Sequence, residues 1–307
     1  MMKTSIGGGV PRVLTIAGSD SGGGAGIQAD LKTMHQLGVY GMSVVTAVTA
    51  QNTEGVFDIQ TMPVLSVQRQ MRAVWDDLGV DAVKCGMLAT AEIVQAVSDW
   101  LHHRPTRNLV VDPVMVAKGG AALLAPPAMQ YLRERLMPLA EVVTPNLPEA
   151  AALVGYPVET LAQANQACHD IAALGPAYVV VKGGHRAALG GQIIDVVYRR
   201  ESQTVCYLAA PYIDTPNTHG TGCTFSSALA SLLAQGWDTL EAIAGAKAFV
   251  SEAILGGSGW TLGHGNGPTN HFAPRPARYR PQWGVVNTYQ GGVWQVQTKG
   301  VNDDDGT

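Results

Sequence analysis

Val13-Leu14-Thr15-Ile16-Ala17-Gly18-Ser19-Asp20-Ser21-Gly22-Gly23-Gly24-Ala25-Gly26 carries a short β-branched run straight into a glycine-rich loop. The amphipathic pattern Gln28–Leu37 follows, and then a second apolar run, Ser43–Val48. Strand, loop, helix and strand at this spacing predict two parallel strands joined by a crossover helix. Working outward, the alternation continues. Ala82–Cys85, Leu109–Asp112, Val142–Thr144 and Tyr178–Lys182 read as buried strands, and Ala91–His102, Ala128–Leu136 and Leu161–Leu174 as helices between them. The expected fold is α/β, a mostly parallel central sheet with helices on both faces. Gln192–Tyr198 and Thr204–Leu208 follow each other without helical material and predict an antiparallel pair near one edge. Ligands in such folds bind beyond the C-terminal ends of the strands.

Composition narrows the class of partner. Of the 307 residues, 46% are hydrophobic and 14% charged, so the chain can bury a large core and lacks the polar bias of a disordered one. A net charge of −4 provides no basic face for nucleic acid or anionic lipid, which leaves small molecules as the expected partners. Cys85, Cys168, Cys206 and Cys223 show neither disulfide nor zinc-ligand spacing. Met1–Gly9 has no apolar signal core, and no stretch reaches the roughly 18 apolar residues of a membrane helix, so a cytoplasmic protein is expected.

Two glycine turns stand out. In Asn217-Thr218-His219-Gly220-Thr221-Gly222-Cys223 the glycines open into a helix of small residues beginning at Thr224. A helix start has unpartnered N–H groups at the positive end of its dipole, and glycine lets a ligand approach closely, so the turn suits a phosphoryl group in transfer. A glycine-built helix entry with no ligand has the same spelling. Cys223 ends the turn, where a thiol is expected to have a lowered pKa and to act as a proton acceptor or nucleophile. The loop Ala17–Gly26 does not match the dinucleotide fingerprint, because the next strand ends in Thr49-Ala50-Gln51-Asn52 without an acidic residue, and the Gly-Lys-Ser/Thr ending of a Walker loop is missing.

Asp112, at the end of a strand, and Asn146 with Glu149, after another, present oxygen ligands of the kind Mg²⁺ takes alongside waters and phosphates. For Glu149 the other reading is a first-turn acid that complements a helix dipole. Lys182-Gly183-Gly184-His185 places a cation beside glycines where nucleotide phosphates would lie.

The chain resembles the hydroxymethylpyrimidine/phosphomethylpyrimidine kinases of thiamine biosynthesis, members of the ribokinase superfamily. The resemblance rests on Thr15-Ile16-Ala17-Gly18-Ser19-Asp20, Gly24–Lys32, Gln51-Asn52-Thr53, Gly86-Met87-Leu88, Asp112-Pro113-Val114-Met115, Thr144–Ala150, Lys182–His185, His219–Thr224 and Gly263–Pro268, all collinear. It implies a ribokinase-like kinase domain over residues 12–272, with an N-terminal extension at residues 1–11. It also implies ATP and Mg²⁺ as cofactors, phosphorylation of the pyrimidine alcohol and then of its monophosphate in one site, and a homodimer. Carried over residue by residue, Cys223, Gly220, Thr221, Gly222 and Lys182 are the expected catalytic set. Lys182, Asn146 and Thr218 are expected at ATP, and Asp112 and Glu149 at the metal.

For the pyrimidine the resemblance points to Gln51, whose carboxamide pairs with a ring nitrogen beside an exocyclic amine, as glutamine does with adenine. Gly18, Ala25, Thr49, Met87 and Val114 are expected as pocket walls. Asp30 is expected either to orient polar groups of the acceptor or to face solvent in the first turn of its helix. The competing readings are a pyridoxal kinase of the same fold and a nonenzymatic pyrimidine-binding protein. Past Ala273 the composition turns to interleaved proline and arginine and the resemblance ends. This tail, residues 273–307, is expected to be a flexible extension, with an alternating stretch at Gly292–Gln297 that suits an added edge strand.

Overall fold

The computed structural model of the chain describes residues 9–116, 120, 123–184 and 191–297. His185 of the lysine-glycine motif, and the chain ends at residues 1–8 and 298–307, lie outside the described residues.

The opening βαβ unit forms where its pattern places it. Strand β1 (Arg12–Asp20) leads through the glycine loop into α1 (Gly26–Leu37), and β2 (Tyr40–Gln51) returns parallel to β1. Gly38 ends α1 in the left-handed conformation, which glycine adopts at no steric cost. An Asn52–Gly55 turn then reverses the chain into β3 (Val56–Thr61), antiparallel to β2. That strand was not anticipated; it has only one neighbour and buries too little surface to show a strong apolar pattern.

The sheet continues through β4 (Ala82–Cys85), β5 (Leu109–Val111), β6 (Val142–Val143) and β7 (Tyr178–Val181), all parallel to β1. Next come β8 (Gln192–Arg199) and β9 (Thr204–Pro211), antiparallel to each other as predicted. They are not at the edge. Residues of the expected tail supply β10 (Val286–Gln290), parallel to β9, and β11 (Val293–Gln297), antiparallel to β10, so the sheet of described strands runs β11-β10-β9-β8-β7-β6-β5-β4-β1-β2-β3. The tail is anchored by its aromatic residues: Tyr279 stacks on Trp294 with ring centres 5.2 Å apart, and the Tyr289 hydroxyl donates to Glu252. Packing of this kind is invisible in a proline- and arginine-rich composition.

Alternating residues of the central strands face two separate cores. Leu14, Ile16, Leu109, Val111, Val143, Val179 and Val181 pack against α2 (Val64–Asp77), α3 (Ala91–His103), α4 (Pro126–Tyr131), α5 (Leu147–Val154) and α6 (Leu161–Ala172). Val13, Val110, Val142, Val180 and Val197 pack against α1, α7 (Thr221–Ala234) and α8 (Thr239–Gly257). Strands buried on both faces explain the continuous apolar runs in the sequence. Among the described residues no helix is long and apolar enough to cross a membrane.

Candidate active site

The C-terminal ends of β1, β2, β4, β5, β6 and β7 and the start of α7 surround one cavity of about 1010 Å³. Of the residues singled out from the sequence, Cys223, Gly220, Thr221, Gly222, Lys182, Gln51, Gly18, Ala25, Thr49, Met87, Val114, Asn146, Thr218, Asp112 and Glu149 all line it. Asp30 does not.

Helix α7 begins at Thr221, three residues earlier than expected, with Gly220 as its N-cap at φ +81° and no side chain capping it. A Cβ on Gly220 would lie 1.8 Å from the carbonyl oxygen of Gly24, so only glycine lets the anion turn rest on the first glycine loop. That first loop is organised by Asp20. Its carboxylate accepts N–H groups from Gly22 (2.8 Å), Gly24 (3.1 Å) and Ala25 (2.8 Å), and lies 2.9 Å from Nε2 of His219 in the anion turn. Burial pushes the Asp20 carboxyl up, but the His219 hydrogen bond and those backbone N–H groups outweigh it and hold it below the usual range. An ionised carboxylate only accepts, so His219 Nε2 carries the proton. Asp20 and His219 were read as parts of motifs; their pairing across 199 residues is a tertiary fact.

Lys182 sits 3.0 Å from Asp112, and both flank Gly222, where a Cβ would be 3.5 Å from either charged group. Thr144 and Ser226 donate to Asp112 as well. Burial opposes ionisation of Asp112, but Lys182 and Lys84 outweigh it and hold the carboxyl low. Asn146 and Glu149 form a reciprocal capping box at the start of α5, each side chain 2.8 Å from the other's backbone nitrogen. The first-turn reading of Glu149 therefore holds geometrically. Burial, reinforced by the charge of Asp112 and opposed by Lys182, pushes its carboxyl up to about 7.

These two carboxylates fit a divalent cation. Both line one cavity and repel each other there, a repulsion that a bound cation would relieve. Among the described residues no group of three or more protein ligands is placed to hold a metal alone, so waters and phosphate oxygens would complete the shell, as Mg²⁺ prefers.

Two expectations change. Cys223 is half-buried, and its thiol is pushed up to about 11 rather than lowered. Desolvation is the main cause; Lys84 and the N–H of Gly26 pull the other way, and Asp30 and Asp112 add to the rise. Asp30 neither faces solvent nor reaches the cavity. It is fully buried, with both oxygens bound to Lys84 (2.9 and 2.8 Å) and one also to Thr15 (2.6 Å). Lys84 was passed over although a lysine inside an apolar strand signals a buried partner; which partner, 54 residues away, the sequence does not say.

At the pyrimidine end, Gln51 is lightly held. Its Oε1 accepts from the Thr49 hydroxyl at 3.1 Å, while its Nε2 lies 3.4 Å from the His219 nitrogen that donates to Asp20. The amide N–H groups and a lone pair on Oε1 are left for a ligand. Ile193, Tyr212, Val250 and Ile254, from β8, the segment after β9 and α8, give the opposite end of the cavity an apolar wall.

Comparison with known proteins identifies this arrangement. The family model described as phosphomethylpyrimidine kinase matches residues 20–270. The hydroxymethylpyrimidine/phosphomethylpyrimidine kinase of Haemophilus influenzae is 48% identical over 265 residues, covering 86% of this chain and 97% of that protein. Among solved structures, the Bacillus subtilis pyridoxal kinase in complex with ADP superposes with a TM-score of 0.79 at 42% identity, covering 86% of this chain and 98% of the other. The Clostridium difficile phosphomethylpyrimidine kinase gives 0.68 at 41% identity, covering 79% and 99%. With a family model over most of the chain and a hydroxymethylpyrimidine/phosphomethylpyrimidine kinase 48% identical along nearly its whole length, this chain belongs to the phosphomethylpyrimidine kinase family and is a kinase of ribokinase-like fold.

Proposed function

We propose that the enzyme transfers the γ-phosphoryl group of ATP to the hydroxyl of 4-amino-5-hydroxymethyl-2-methylpyrimidine, and then phosphorylates the resulting monophosphate in the same cavity. The observation that carries this reading is the position of the uncapped α7 N-terminus, with Cys223 and Lys182, between a polar end bearing Gln51 and an apolar end formed by β8, β9 and α8. A planar base fits the apolar end, and the aminopyrimidine edge matches the free hydrogen-bonding capacity of Gln51.

In this scheme Cys223 takes the proton of the attacking hydroxyl, and the turn N–H groups and Lys182 stabilise the charge on the transferring phosphoryl group. Asn146 and Thr218, which line the same cavity, would contact the nucleotide phosphates. Asp112 and Glu149 would hold Mg²⁺, which when bound neutralises phosphate charge. The second acceptor is a phosphate already ionised near neutral pH, its second pKa being about 6, so that step needs no base. The proposal includes action in the cytoplasm as a homodimer, the latter checked by sedimentation. Incubating the protein with MgATP and the pyrimidine, and resolving products by mass spectrometry, tests the assignment; absence of both mono- and pyrophosphate rejects it.

The Mg²⁺ assignment predicts a pH dependence. Glu149 binds a cation only once it has lost its proton, so with its carboxyl at about 7 apparent Mg²⁺ affinity should rise as pH increases through that region and level off above it. Glu149→Gln should abolish the rise. An unchanged Mg²⁺ titration in that variant would leave Glu149 as a helix cap alone.

Substrate choice is expected to rest on Gln51. Gln51→Met keeps similar bulk but leaves the aminopyrimidine edge unpaired. A buried unsatisfied polar group costs about 1–3 kcal/mol, so kcat/KM for the pyrimidine should fall roughly five- to 150-fold. A B6 vitamer, with a different polar edge, should lose far less. If the ratio of the two kcat/KM values stays the same, Gln51 is not the determinant.

A further inference from the structure

The chain continues past residues 20–270, which the family model matches, and that continuation is built into the sheet. Strand β10 pairs with β9 on one side and β11 on the other. Asn287, fully buried on β10, fastens the segment before it. Its Oδ1 accepts from the Tyr279 hydroxyl (2.8 Å) and the Gln282 N–H (2.9 Å), and its Nδ2 donates to the Gln282 carbonyl (3.0 Å). Trp294 of β11 lies between two tyrosines, stacked on Tyr279 and tilted against its cross-strand partner Tyr289 at 5.3 Å.

This hairpin reaches the back of the cavity's apolar end. On α8, Lys247, Val250, Ser251 and Ile254, spaced i, i+3, i+4 and i+7, line the cavity. The neighbouring stripe of the same helix, Ala248 and Glu252, meets the tail. Ala248 shares an apolar cluster with Tyr289, Ala210 and Trp294, and Oε1 of Glu252 accepts the Tyr289 hydroxyl at 2.9 Å. Ala210 of β9 belongs to both surfaces, lining the cavity and packing in that cluster. With alanine at 210 and 248, the buried Tyr289 ring fills the space between α8 and the sheet.

We propose that Tyr289 is a positioning residue for the nucleotide: through Glu252, Ala248 and Ala210 it fixes how α8 stands over β9, and so the width of the apolar wall on which the base lies. The inference rests on the reading that the base occupies this end. The pyrimidine contacts are remote from it, because Gln51 and Thr49 belong to β2, which β1 and β4 to β8 separate from β9.

Calorimetric titration with ADP reads the base end without turnover, and KM for ATP and for the pyrimidine reads the two ends separately. Tyr289→Phe keeps the ring and removes the hydrogen bond. ADP affinity should fall and KM for ATP rise roughly two- to tenfold, the size of one net hydrogen bond, while KM for the pyrimidine stays as it is. Glu252→Ala should do the same, whereas Glu252→Gln, which keeps an acceptor, should not. Tyr289→Phe combined with Glu252→Ala should be no worse than either alone. A tail that serves only stability would lower Tm and leave ADP affinity and KM for ATP at wild-type values; that result in folded Tyr289→Phe or Glu252→Ala overturns the proposal, as does an equal rise of KM for both substrates. Ile254→Asn tests the underlying reading, since a polar group in the wall must weaken ADP binding if the base lies there. Unchanged ADP binding in that variant rejects the base site and the positioning role with it. Weakened binding there, with wild-type binding in the Tyr289 and Glu252 variants, rejects the positioning role alone.

Discussion

Replacing Cys223 with alanine should slow phosphorylation of the alcohol by roughly 10²–10⁴-fold, the range expected for loss of a positioned general base, with pyrimidine binding largely intact. The monophosphate acceptor should lose much less, because it arrives already ionised. The raised thiol sharpens this expectation. With a midpoint at about 11, only a small fraction of Cys223 is thiolate near neutrality, and that fraction grows about tenfold per pH unit below the midpoint. The wild-type rate for the alcohol should therefore climb with pH from about 7 to about 9, while phosphorylation of the monophosphate flattens once the acceptor is ionised. In the alanine variant the climb should vanish. Single-turnover rates for both acceptors across that range measure it, and equal losses in the two steps would place Cys223 in a shared structural role instead.

Lys182→Met should lower turnover by roughly 10²–10³-fold, comparable to removing one preorganised donor from a developing anion, while the KM for the pyrimidine moves little. The reason is position. Lys182 stands beside Gly222 at the anion turn and is held there by Asp112, whereas Gln51 and Thr49, on β2, form the polar end of the cavity. The charge on Lys182 is secure: burial works against it, but Asp112 and Glu149 together raise its pKa. Removing it takes away the ion-pair partner of a buried carboxylate that keeps hydrogen bonds from the Thr144 and Ser226 hydroxyls, so Tm should fall as well. Measuring kcat, KM and Tm together separates the two effects. A loss confined to KM for the pyrimidine would contradict the assignment of Lys182 to the phosphoryl group.

Much of the architecture was legible because it depends on short-range pattern. Val13–Ala17, the glycine loop and Gln28–Leu37 announce a βαβ unit through residues adjacent in sequence, and the doubly buried strands announce themselves by unbroken β-branched runs. The glycine turn at Gly220-Thr221-Gly222 was legible for the same reason, since the backbone of a helix start is its chemistry. The edge strand expected at Gly292–Gln297 is present as β11 (Val293–Gln297), read from its alternation, whereas β3, lightly buried at the other edge, and β10, which follows a proline-rich segment and is tied to α8 by the Tyr289 hydroxyl on Glu252, carry no such pattern.

By itself, then, the order of residues determined the α/β class, the loops that meet at the strand ends and the set of groups available for phosphoryl transfer. Only the tertiary structure decided the electrostatic state of those groups. A pKa is set by desolvation and by charges within a few ångströms, whatever their distance along the chain. Thus Cys223, whose place at a helix start argued for a lowered pKa, is raised by burial, and Asp30, which reads equally as a substrate contact or a solvent-facing acid, is buried on Lys84. The same reason hides Asp20 and His219, which come together from opposite ends of the domain to join the two glycine loops.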